Sequence, residues 1–392
     1  MPRFNPLVET LAAPPIPSVF AWGDAYDGRG GAMIDFSQAV PGYPPHPEML
    51  RLLGEYAASR AYTGYGPIEG ETTLRKAYSA HLSESYGVSL SAGNVHVTSG
   101  CNQAFICAAM AVAGAGDAVL MTDPYYFNQE TTLAMLGIRT RFAACDPTNG
   151  FLPDIATLAA GITPDVRAIA LVSPNNPTGA VYPPALLSAI YDLCVERGIW
   201  LILDETYRDF LPAGAGRPHD LFGRDGWENT LIGLYSFSKS FCIPGHRLGA
   251  ITAGAAVVEQ VAKIMDNLQI CPPRSAQAAV ATALPILAEW REENRREIAR
   301  RVEALHATMA EAPAWRVGAV GAYFAFIGHP FAGTPSAVVA ERLAKEAGIL
   351  CLPGSYFGPG QEGYLRFAFA NADVETIAKL GGRLASFVMD DA

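Results

Sequence analysis

Ser236-Phe237-Ser238-Lys239 sets one lysine among small hydroxyl residues, and Arg247 follows eight positions later in SFSKSFCIPGHRLG. Two hydroxyls and a guanidinium fork supply what a phosphate monoester dianion needs. Gly100-Cys101-Asn102-Gln103 follows the strand-like run NVHVTS and opens the apolar helix-like run AFICAAMAVA. The free N–H groups at such a helix start, with the helix dipole, can hold an anion. Both segments are read as holding one phosphate.

Asp204 closes the apolar run of residues 200–203 in WLILDETY. An ionised acid at the edge of a buried sheet is costly unless a cation faces it. Facing a protonated ring nitrogen, it would serve as a fixed counter-ion that keeps that nitrogen charged. In SPNNPTG, Asn176 precedes Pro177, a pair that favours a fixed turn. Its amide can donate to a phenolate oxygen, as can the Tyr207 hydroxyl.

In this order, Asn176-Pro177-Thr178-Gly179, Asp204-Glu205-Thr206-Tyr207 and Ser236-Phe237-Ser238-Lys239 with Arg247 resemble the class I/II aminotransferases, fold-type I enzymes that use pyridoxal 5′-phosphate (PLP). The resemblance runs from about Phe36 to Ala370. It implies that Lys239 forms a Schiff base with the cofactor and shuttles a proton once substrate releases it. It implies too that Asp204 partners the pyridine nitrogen, and that Asn176 and Tyr207 donate to the ring 3-oxygen. In TDPYYFNQ the ring-stacking aromatic falls on Tyr126 rather than Tyr125, and Gly100, Cys101 and Asn102 fall in the phosphate loop. Cys101 departs from the small or hydroxyl residues common there.

By the same resemblance, Tyr65 in YTGYGPIEG reaches the cofactor phosphate of a second subunit, so a homodimer with shared sites is expected. Arg366 in GYLRFAFA clamps the substrate α-carboxylate, helped by Asn176 and the backbone near Ala39. SQAVPGYPPHP departs from the family's usual form at that last position. Arg274, in its own site or from the other subunit, would pair with a side-chain carboxylate or lie on the surface, Tyr43, Phe127 and Tyr356 would line the mouth, and His246 is read as packing near the site or supporting it from behind. The implied reaction is ping-pong transfer of an amino group from an amino acid to a 2-oxo acid. A C–S β-lyase or a ring-forming elimination on the same scaffold is the alternative. A non-enzymatic regulator would need a DNA-binding domain, for which the residues before 36 leave no room.

The elements that must position these groups are legible as well. Between residues 94 and 253, the runs NVHVTSG, DAVLMTDP, RAIALVSP, IWLILDE, TLIGLYSFS and LGAITAG alternate with helix-like stretches. That spacing predicts βαβ units, hence an α/β fold with a mostly parallel sheet covered on both faces. Polar residues gather after these runs, at Gly100, Asp123, Asn176, Asp204 and Ser236, where open α/β sheets bind ligands. One long helix is expected from about Ala276 to Met309. The expected organisation is an irregular segment 1–45 packing with the small domain, a large PLP-binding domain 46–285, and a small α+β domain 286–392.

Of 392 residues, 50% are hydrophobic and 17% charged, a globular composition, and 28 basic against 38 acidic residues leave a net charge of −10. With no basic run to track a phosphate backbone, nucleic acid is excluded as a partner. No apolar run reaches membrane-spanning length, the first twenty residues lack a secretory core, and seven scattered cysteines form no CxxC pair. A cytoplasmic protein without a metal site is expected.

Overall fold

The computed structural model describes residues 2–389. Met1 and residues 390–392, the outer ends of the two expected terminal segments, lie outside the described residues. The strand β1 (Ile34–Asp35) is short. The next seven, β2 (Val95–Thr98), β3 (Ala118–Asp123), β4 (Arg139–Ala144), β5 (Val166–Val172), β6 (Trp200–Asp204), β7 (Leu231–Ser236) and β8 (Gly249–Thr252), form one sheet. Its order is β2-β8-β7-β6-β5-β3-β4. Only β8 runs against its neighbours. Two antiparallel pairings in succession restore the direction, so the carboxyl end of β2 falls on the same side as those of β5, β6 and β7.

Strand side chains alternate between faces. Leu201 and Leu203 of β6 therefore enter one hydrophobic core, with Leu120 and Ile169, while Ile202 enters the other, with Val119 and Met121. Helices cover both faces, as the near-continuous apolar runs require. Of the seven strands, β4 escapes the sequence reading. Its RTRFAA is mostly part-exposed at the sheet edge, with no apolar run to mark it.

A second sheet, β12-β13-β10-β9, is antiparallel and built from β9 (Arg316–Gly321), β10 (Phe324–Gly328), β12 (Leu352–Pro353) and β13 (Tyr364–Phe367). The strand β11 (Ile349–Leu350) pairs in parallel with β1. Ala325, Ile327, Leu365 and Phe367 pack with Ile34 and with Leu305.

Two expectations are corrected. The long helix is two, Arg274–Ile286 and Ala288–Met309, separated by Leu287 at φ −104°, ψ 21°. Pro285 has no N–H and its ring crowds the preceding turn, which accounts for the interruption. The N-terminal segment is also more regular than expected. It contains the helices Pro6–Glu9 and Pro15–Gly23, the second opened by a proline in its first turn, and β1.

Candidate active site

A cavity of about 940 Å³ opens at the carboxyl ends of β5, β6 and β7. The chain turns there for local reasons. Gly100 adopts φ +87° at the start of the helix Cys101–Val112, and no side chain caps that helix. A Cβ on Gly100 would lie 2.3 Å from an Arg247 guanidinium nitrogen, and one on Gly249 would lie 2.7 Å from the Gly100 carbonyl carbon. Glycine at both positions lets the helix start, β8 and Arg247 converge. Arg247 itself sits at φ 50° and donates to the carbonyls of Pro244 and Ser99 at 3.0 and 3.4 Å. It forms no ion pair among the described residues, so its charge remains available to an anion.

Ser236 caps the short helix Phe237–Ser240, its Oγ accepting from the Ser238 N–H at 3.3 Å. The Ser238 hydroxyl is buried with no partner among the described residues. Lys239 extends from the same helix, and its Nζ donates to the Ala39 carbonyl. Burial, reinforced by the nearby charges of Arg366 and Arg247, lowers its pKa to about 8.

Asp204 ends β6. One carboxylate oxygen accepts from the Thr206 N–H at 3.0 Å and the Thr206 hydroxyl at 2.7 Å, and the other accepts from the Gln129 amide at 3.1 Å. Burial pushes this carboxyl up, while the Thr206 donors and the Cys101 thiol pull it down. No cation pairs with it among the described residues.

Arg366, on β13, is 3% exposed. It donates to Asn176 Oδ1 at 3.1 Å and to the Ser37 carbonyl, lies 5.0 Å from the ring centres of Phe324 and Phe357, and keeps an unpartnered Nε. Burial lowers its pKa to about 10, which leaves it charged at neutral pH, and no carboxylate pairs with it. The Asn176 oxygen faces Arg366, so its NH2 is free to donate elsewhere.

The cavity lining brings together Ala39, Cys101, Asn102, Tyr126, Asn176, Asp204, Tyr207, Ser236, Ser238, Lys239, Arg247 and Arg366. Gly100 borders it through Arg247. Tyr126 hydrogen-bonds Asn128 at 2.7 Å, whereas Tyr125, also on the wall, stacks on Phe142. Tyr207 is buried against Tyr323 and Phe324. Tyr65 lies outside this cavity and is 80% exposed.

Other sequence expectations do not hold. Tyr43 is not part of the wall; it packs on Trp290 under the Arg301 guanidinium. Arg274 does not line its own chain's cavity; it pairs with Glu71 and donates to the Ala61 and Gly64 carbonyls. His246 is exposed rather than packed. Asp123 accepts from Gln361 at 3.0 Å instead of facing the cavity. The sequence reading missed Gln129, Thr206 and Ser37, which act through contacts distant in sequence or through backbone, and the wall formed by Ala12–Ile16, Ser18, Glu130 and Thr131. Among the described residues no cluster suits a metal ion and no helix is long and apolar enough to cross a membrane.

Known proteins resemble this chain in sequence and in fold. A family model described as aminotransferase class I and II matches residues 32–384. An aromatic aminotransferase of Arabidopsis thaliana is 28% identical over 358 residues, 90% of this chain and 88% of that protein. The arginine–pyruvate transaminase AruH of Pseudomonas aeruginosa is 30% identical over 310 residues, 78% and 77% respectively. A double mutant of Thermus thermophilus aspartate aminotransferase superposes with a TM-score of 0.89 at 26% identity, covering 98% of this chain and 99% of that one.

Proposed function

The chain belongs to the class I and II aminotransferases, PLP-dependent enzymes that move an amino group from an amino acid to a 2-oxo acid, and from that premise we propose how its residues divide the work. The observation that carries the proposal is that one cavity gathers a half-buried lysine, a buried carboxylate with no cation and a buried arginine with no carboxylate. Each lacks the partner that a bound cofactor and substrate would supply.

The residues fit PLP. The unpartnered Ser238 hydroxyl, the Arg247 guanidinium, Ser236, and the uncapped N–H groups from Gly100 to Asn102 suit its phosphate. Asp204 suits the ring nitrogen, Asn176 and Tyr207 the ring oxygen, and Tyr126 the ring face. When bound, PLP supplies an electron sink for the substrate α-carbon.

Lys239 would then have two duties: its amine would hold the cofactor through the aldehyde, and the same Nζ, once free, would accept and return the substrate α-proton. Arg366, with Asn176, fixes the α-carboxylate in a two-pronged grip. That grip orients the substrate so that its C–H bond, rather than the bond to the carboxylate, stands in line for cleavage. The Ala39 carbonyl, which holds Nζ here, keeps the amine within the site.

In this reading the active unit is a homodimer in which Tyr65 of each chain serves the other's phosphate site. Its exposure, and its place outside its own chain's cavity, support that role. The division into 1–45, 46–285 and 286–392 is supported by the large sheet lying within 95–252 and the small one within 316–367. The proposed compartment is the cytoplasm, in keeping with seven cysteines that are all free. The relatives' names span aromatic, aspartate and arginine substrates and do not single out a donor.

Lys239→Ala tests the assignment. Turnover should disappear, while PLP still binds through the phosphate contacts, measured by equilibrium dialysis. Full transaminase activity in that variant would refute it.

A further inference from the structure

Five ionisable acidic or basic side chains line the cavity: Lys239, Asp204, Arg247, Arg366 and Glu130. The first four are engaged in the reading above, on which this inference rests. Glu130 is not. It lies in the first turn of the helix Phe127–Met135, next to Gln129, whose amide holds Asp204. Asn128 and Thr131 of the same helix also face the cavity.

Glu130 forms no ion pair or hydrogen bond among the described residues. Burial raises its carboxyl, and no cation or donor works against that rise. The N-terminal wall that shares the cavity, Ala12 to Ile16, is apolar. A partly desolvated acid without a partner is unfavourable in its charged form until a cation meets it. Arg274, the arginine that could have received a side-chain carboxylate, is held by Glu71 outside the cavity. With Lys239 committed to the cofactor, Arg366 to the α-carboxylate and Arg247 to phosphate, the part of the cavity that this chain lines retains one carboxylate without an assigned partner.

We propose that Glu130 is a specificity-determining residue that selects an amino donor whose side chain ends in a cation, pairing with that charge while Arg366 holds the α-carboxylate. The same placement repels a side-chain carboxylate, so discrimination has an attractive and a repulsive part.

The test compares the PLP-loaded wild type with Glu130→Gln, using a single keto acceptor. The donors are L-lysine, L-arginine, the uncharged L-norleucine, L-glutamate and L-glutamine. The ratio of kcat/KM for the cationic donors to that for L-norleucine should fall about tenfold or more in the variant, the discrimination expected of one charge-assisted hydrogen bond. The wild type should prefer L-glutamine to L-glutamate. An unchanged ratio, or a wild-type preference for L-glutamate, would overturn the proposal.

Calorimetric binding of α-methyl-lysine, which has no α-hydrogen to lose, gives a second readout. Its Kd should rise in Glu130→Gln, and an equal Kd would count against the proposal even with turnover absent. If no donor at all reacts with the wild type, the aminotransferase reading fails, and this binding measurement alone decides the role of Glu130.

Discussion

At Arg366 a guanidinium is buried against two phenylalanine rings and bonded to an amide and a carbonyl, with no carboxylate to balance it. A charge so placed is held at a cost unless an anion arrives, and a planar fork is matched to a carboxylate in a way that an ammonium is not. Arg366→Lys should therefore lower kcat/KM for amino and keto acids alike by roughly a hundredfold, the usual scale for disrupting a buried charge pair. Steady-state kinetics on both half-reactions would check this. Lys239 supports a second prediction. Only the neutral amine attacks an aldehyde, and the neutral fraction grows as pH rises. With its pKa lowered to about 8 by burial and two arginines, the rate of PLP uptake by the cofactor-free protein should climb through about pH 8 rather than near the ordinary lysine value. Stopped-flow uptake at several pH values would show it. Asp204 and Arg366 were legible because a polar group within or closing an apolar run is costly to bury without a partner, and so points to one, whereas Lys239 and Asn176 were legible from the hydroxyl-rich and Asn-Pro motifs that hold them. Thr206 and Gln129 were not, because their role depends on where their side chains fold back. Ser37 contributes only a carbonyl, which every residue has.

The elements explain why those groups converge. Three successive strand ends deliver Asn176, Asp204 and Ser236, and the β2–helix turn delivers Gly100 from the same side because β8 reverses direction between β2 and β7. Gly100 is the tightest point of that arrangement. Gly100→Ala places a Cβ 2.3 Å from Arg247 in a backbone conformation that L side chains avoid. The variant should lose more than about 1 kcal/mol of stability and bind PLP more weakly, by thermal unfolding and equilibrium dialysis respectively. The strands that the sequence disclosed are the ones buried on both faces. β4 stayed hidden because an edge strand needs no apolar run. The helix interruption at Leu287 was masked by helical periodicity continuing on both sides of Pro285. The N-terminal helix Pro15–Gly23 was hidden by the prolines that in fact open it, and with it went one wall of the cavity.

Over the whole molecule, the cavity is bounded by residues from the N-terminal segment, the large sheet and the small sheet, and the hydrogen bonds that set it join parts of the chain more than 300 positions apart, as Arg366 and the Ser37 carbonyl do. The dimeric arrangement is testable by complementation. Lys239→Ala and Tyr65→Ala, each impaired alone, should recover activity when mixed and allowed to exchange subunits, because one site of each mixed dimer then has both native residues. Full activity of Tyr65→Ala alone, or no recovery on mixing, would contradict the shared site. The central claim, amino transfer in two half-reactions, is tested most directly by adding an amino acid alone to the PLP-loaded protein while following visible absorption, keto acid and ammonia. The account predicts loss of the cofactor's visible band with one equivalent of keto acid per site, no ammonia, and recovery of the band when a different keto acid is added. A band that persists while keto acid and ammonia accumulate beyond one equivalent would contradict it and indicate elimination instead.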